Sequence, residues 1–182
     1  MKKFKGCILT IVVAVAIGTI LFLAYKNSAV KNLSAIDSEV ENQWEKIAKL
    51  IKQKNNALEL NSVISDSLKF YIEQSDKNEQ MKLCDSSYIN TEYAINRLSL
   101  KDSVTQINID ELNQNLVSYN SLVRKYNTQR FSFPAFLIYR KTGFTEYYKY
   151  FDLVYGIENE SPQQKRKKTR EWQRKIEDSI LK

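Results

Sequence analysis

The sequence predicts an all-α protein: an N-terminal transmembrane helix followed by an antiparallel long-helix bundle of three to four helices, with an aromatic cap and a basic C-terminal helix. Three observations carry this. A run of 19 residues without a charge, 7–25, follows a short basic leader. Apolar residues then recur every three or four positions, the spacing of one buried stripe on a helix. Only 4 glycines and 2 prolines punctuate 182 residues, too few for turn-rich β-structure. Length allows one domain with appendages. The chain divides into a basic N-terminus (1–6), an anchor (7–25), a helical body (29–157) and a basic tail (158–182).

The anchor comes first. Eleven of its residues are Ile, Leu, Val or Phe, and at about 1.5 Å per residue it covers most of a ~30 Å hydrocarbon layer. A cleaved signal peptide would have a shorter apolar region ending in small-x-small. Here the nearest candidate, Phe22-Leu23-Ala24, starts with a bulky side chain, so an uncleaved anchor is favoured. Lys2, Lys3 and Lys5 outnumber Lys26 and Lys31, which favours a cytoplasmic N-terminus and an extracytoplasmic body over the reverse.

The body follows without a gap. Leu33, Ile36, Val40, Trp44, Ile47, Ile51 and Leu58 form one stripe, with a polar Lys54 at an expected step. No Pro or Gly occurs from 29 to 70, so nothing in that stretch demands a break. The polar residues 73–78 separate a second helix carrying Met81, Cys84, Tyr88, Ile95 and Leu98, its stripe interrupted at Thr91 and Glu92. A third carries Ile109, Leu112, Leu116, Tyr119, Val123 and Tyr126, with Asp102 or Ser103 as its cap. Such one-sided helices are stable only when packed together.

From 131 to 157 the pattern changes, and ten of the 21 aromatic residues fall there. Pro134 stops the third helix and Gly143 marks another turn. The block is either a plug that caps the bundle end or an exposed surface for a membrane or partner. Ser161 and Pro162 open the tail helix. Residues 162–182 hold eight basic residues against three acidic, most of the net +7 of the chain. Lys165, Arg166, Lys167, Lys168, Arg170, Arg174 and Lys175 form either a solvated helix face or a contact with anionic lipid or cell-wall polymer. Nucleic acid is disfavoured, because a single basic run lacks a recognisable module.

The absence of histidine removes Ser-His-Asp triads, His-ligated metals and imidazole bases. Two cysteines make neither a Cys₄ site nor a disulfide framework, and Cys84 on an apolar stripe reads as an inert thiol. No catalytic activity, metal or cofactor is expected. The partners expected instead are the membrane, an envelope protein and a second copy of the chain.

Two stretches resemble a known family. Val40-Glu41-Asn42-Gln43-Trp44, near the start of a long helix behind an N-terminal span, is similar to the V-E-x-x-W element of LemA-family proteins. Tyr119-Asn120-x-x-Val123-x-x-Tyr126-Asn127, then Phe133-Pro134, Gly143-Phe144 and Tyr150-Phe151, resembles that family's most recognisable block. Together they touch roughly a third of the chain. Residues 53–60 depart from the family pattern, lacking its double arginine and its proline; the middle is shorter and the basic tail is extra. The resemblance implies a divergent, shortened member: a bacterial single-pass inner-membrane protein with a helical bundle and no defined reaction. Asn120 and Asn127 lie seven residues apart on one face, where their amides either satisfy buried backbone groups or bind a ligand.

Overall fold

The computed structural model describes residues 2–60, 64–78, 84–140, 142–160, 167–172 and 174, with side chains from residue 12 onward except at 78. Among them every regular element is helical: α1 (Lys2–Glu59), α2 (Asp66–Asn78), α3 (Ser86–Lys101), α4 (Ile109–Phe131) and the short α5 (Ala135–Tyr139), while residues 167–172 are also helical. The N-terminal part of α1 supplies one candidate membrane span, by length and hydropathy. Val12, Val15, Ile17, Ile20, Leu21 and Phe22 all stand exposed.

The α1 stripe is buried as its spacing requires, at Ala29, Leu33, Ile36, Val40, Trp44, Ile47, Ile51 and Leu58. The helix nevertheless ends at Glu59, against the expectation that nothing interrupts it before residue 70. The restart is built by Ser65, whose Oγ accepts from the Leu68 amide, with Asp66 in the first turn. Side-chain capping and an acid at the positive end of the helix define such a terminus without Pro or Gly. Residues 73–78, read as a separator, are the last part of α2. Cys84 precedes α3 rather than lying on it, because Asp85 caps that helix by accepting from the Tyr88 amide; Met81 lies outside the described residues. Asp102 and Ser103 do not cap α4. They close α3, where Ser103 takes φ 54° and the Val104 amide reaches back to the Ser99 carbonyl.

Packing divides the chain into two compact units. One comprises Met1–Trp44 and Ser118–Tyr150, the other Glu45–Val117 and Phe151–Lys182. In the first, α1 and α4 run antiparallel: the Trp44 and Tyr119 rings lie 5.5 Å apart, and the Tyr139 hydroxyl, beyond the end of α4, donates to the Ala29 carbonyl at 2.9 Å. In the second, Leu58, Ile64, Leu68, Ile72 and Ile95 form an apolar cluster, with Tyr71, Leu98 and Val104 against it. There α2 and α3 pack antiparallel.

The aromatic block is split between the two readings given above. Tyr139, Tyr148, Phe151 and Tyr155 are buried, whereas Phe131, Phe133, Phe136, Tyr147 and Tyr150 are exposed.

Candidate functional site

Two arrangements of polar side chains stand out, and both are assembled by long-range contacts. The first lies in the unit containing Glu45–Val117 and Phe151–Lys182. Lys54 occupies a stripe position of α1 and Glu92 interrupts the stripe of α3; both are fully buried. The Lys54 Nζ donates to Glu92 Oε2 at 2.7 Å, and the Tyr155 hydroxyl donates to the same oxygen at 2.8 Å. Glu92 Oε1 accepts from Ser75 Oγ at 2.6 Å and from Asn55 Nδ2 at 3.3 Å. Lys54 Nζ also stands 4.3 Å above the Tyr155 ring, a cation–π placement. Asn55 Oδ1 is buried with no hydrogen-bond partner among the described residues.

All four groups around Glu92 donate, so the carboxyl must accept and is ionised. Burial pushes it up, but the ammonium and the Ser75 and Tyr155 hydroxyls more than reverse this, holding it below the usual carboxylate range. Burial pushes Lys54 down, and Glu92 pulls it part of the way back. Burial, and then the Glu92 charge, drive the Tyr155 phenol well up, so it stays protonated and donating. One ion pair thus joins α1, α2, α3 and the segment after Tyr150. Removing one member of such a pair leaves an uncompensated charge, which fixes how the elements meet.

The second arrangement holds the irregular chain from 145 to 157. Its backbone groups have no helix or sheet to satisfy them, and asparagine amides do so instead. In the unit with Ser118–Tyr150, Asn127 Oδ1 accepts from the Tyr148 amide at 3.1 Å and Nδ2 donates to the Tyr148 carbonyl at 2.9 Å. There the Tyr126 hydroxyl donates to the Thr145 carbonyl at 2.6 Å, the Tyr119 hydroxyl to the Lys149 carbonyl at 3.2 Å, and the Tyr148 hydroxyl to Asp37 Oδ1 at 2.9 Å. In the other unit, Asn113 makes the same two-way contact with Tyr155, at 2.9 and 3.1 Å. Asn96 accepts from the Gly156 amide at 3.0 Å and donates to the Ile157 carbonyl at 2.9 Å. Tyr93 donates to the Asp152 carbonyl. Gly156 is required there: its φ is +82°, and an added Cβ would fall 2.8 Å from Ile109 Cδ1.

The residues that carry the resemblance distribute as follows. Val40, Trp44, Tyr119, Val123, Tyr126, Asn127 and Phe151 are buried, Asn120 and Phe144 are half-buried, and Glu41, Phe133, Pro134 and Gly143 are exposed. Gly143 lies between bends at 142 and 144, with nothing crowding it. Of the basic tail, Lys167, Lys168, Arg170 and Arg174 are exposed. Lys168 pairs with Glu160, and Lys167 lies 3.9 Å from Glu171. Lys165, Arg166 and Lys175 lie outside the described residues.

Sequence reasoning marked Glu92 only as an interruption of an apolar stripe and did not single out Asn55, Ser75, Asn96, Asn113 or Gly156. A signal for one existed: Asn113, Asn120 and Asn127 recur every seven residues, one face of a helix. Among the described residues no group of three or more Cys, Asp or Glu is placed to hold a metal ion. Compared with family models, with curated proteins and with solved structures, the chain has no match in any of the three.

Proposed function

We propose that the chain is a single-pass, membrane-anchored helical bundle of the LemA type, a non-enzymatic scaffold that presents its body to a protein partner in the bacterial cell envelope. One observation carries the anchor. In a single uninterrupted helix, α1 changes at about residue 29 from an exposed apolar surface to a one-sided buried stripe. From Val12 to Tyr25 the exposed apolar side chains cover about 20 Å of helix, much of a ~30 Å hydrocarbon core, and such a surface suits lipid around it. The family part is supported by the meeting of the two motif stretches, Val40 to Trp44 and Tyr119 to Asn127, at the Trp44–Tyr119 ring contact. The non-enzymatic part is supported by the buried pair, whose carboxylate is occupied by protein donors.

Alkaline extraction of membranes from cells making the full chain tests the anchor. The intact product should stay in the pellet, and its mature N-terminus should lie before residue 7. A soluble product, or one whose first residue lies beyond 25, would identify residues 7–25 as a removed signal instead.

A second reading has its own observation. The helical residues 167–172 and 174 leave Arg170, Trp172 and Arg174 exposed, a combination suited to an anionic surface. If that surface is lipid, proteoliposomes of the full chain should cluster added anionic vesicles, less so with salt. Deleting 162–182 should abolish the clustering.

A further inference from the structure

We propose that the turn joining α4 to α5, tipped by Phe131, Phe133, Phe136 and Leu137, is a second membrane contact that dips into the lipid interface beside the span. The proposal rests on the anchor reading above and adds a lipid-facing role for a part of the body far from it in sequence.

Three observations meet at this place, all within the unit formed by Met1–Trp44 and Ser118–Tyr150. First, the four side chains are exposed, Phe133 at 81% and Phe131 at 60%. Water gives no reason for four large apolar groups to cluster at one turn. Second, the antiparallel register puts the turn at the membrane end. Trp44 meets Tyr119, and the Tyr139 hydroxyl, just past the turn, donates to the Ala29 carbonyl at 2.9 Å. Ala29 is four residues beyond Tyr25, about 6 Å along a helix. The headgroup layer extends about 5–7 Å beyond the hydrocarbon on each side, so the tip is level with it. Third, the charges fit. Residues 130–141 contain no carboxylate, and Lys26, Lys31 and Arg140 are exposed, whereas Arg130 is buried against the Tyr139 ring. Aromatic rings flanked by cations match the interfacial belt of membrane proteins. The aromatic rings inside the unit have protein partners, such as Tyr126 with Tyr148 at 4.7 Å. Phe133 has only the neighbouring Phe136, at 6.3 Å, among the described ring contacts.

The test uses the full chain in phosphatidylcholine–phosphatidylglycerol vesicles. In a Cys7→Ser background, Phe133→Cys and, separately, Ser121→Cys carry an environment-sensitive fluorophore. Ser121 is exposed on α4, ten residues before the end of that helix. The label at 133 should be quenched several-fold more by headgroup-nitroxide lipid than by aqueous iodide, and the label at 121 should show the reverse order. Iodide access at 133 equal to that at 121, in a chain that resists alkaline extraction, overturns the proposal and spares the anchor. Protection of 133 from both quenchers, together with crosslinking of the chain to itself, would mean that a second copy covers the tip, and it overturns the proposal as well. A chain extracted from the vesicles defeats the anchor reading first and the lipid contact with it. Labelling at Phe136→Cys guards against a local effect of losing Phe133 and should follow the pattern of position 133.

Discussion

Glu92 shows how much a single side chain can organise. Its two oxygens take donors from Lys54, Asn55, Ser75 and Tyr155, so Glu92→Ala strands a buried ammonium. Chemical denaturation should show a loss of about 3–5 kcal/mol, whereas the joint replacement Lys54→Met with Glu92→Leu should come out near neutral or more stable. A Glu92→Ala curve overlying the wild type would contradict the burial of the pair. The pH dependence has two arms. Glu92 titrates lower in the folded protein than its ordinary value of 4.5, so its stabilisation is complete above that pH and fades as pH falls below it. The phenols of Tyr126, Tyr148 and Tyr155 are raised above 10, chiefly by burial. Their contribution is intact below pH 10 and drains away above it. Lys54, lowered from 10.5, works the other way only up to that pH. Denaturation midpoints should therefore fall below pH 4.5 and again above 10.5, and a flat alkaline limb would refute the phenol assignment. Neither member of the pair was readable as such from the sequence. Each looks like a flaw in an apolar stripe, because periodicity reports which face is buried and not which faces meet.

Elements whose stability comes from a single stripe were the most legible. The buried positions of α1 from Leu33 to Leu58 and of α4 from Leu112 to Tyr126 follow the 3–4 spacing step for step. Trp44, packed on Tyr119, should cost about 3–5 kcal/mol when truncated to alanine, measured as a drop in thermal or denaturant stability; an unchanged melt would place the indole outside the core. Boundaries were less legible. The end of α1 at Glu59 carries no Pro or Gly, and the start of α2 depends on the capping by Ser65. The irregular segment after α5 was hardest of all, since its partners are side chains on distant helices. Asn127→Ala removes both contacts to the Tyr148 backbone, at about 1–3 kcal/mol for each buried group left unpaired. Hydrogen exchange at the Tyr148 amide should accelerate far more than exchange in the middle of α1; equal rates in variant and wild type would mean that Asn127 does not hold the segment.

At the level of the molecule, fold class was the most secure reading, because a charge-free run, long stripes and scarce glycine all point the same way. Orientation in the membrane is where the sequence says least, since three lysines before the run face two close behind it. Protease added to intact cells should clip the body if the N-terminus is cytoplasmic, and full protection would reverse the assignment. The unbroken 58-residue α1 has a mechanical corollary. From Tyr25 to Trp44 it extends roughly 28 Å, with neither proline nor glycine to act as a joint. If residues 7–25 are embedded as proposed, a lean of about 20° at the lipid end, ordinary when bilayer thickness varies, would swing Trp44 sideways by on the order of 10 Å. Such a helix would be a pointer whose reading changes with the thickness of the membrane around it.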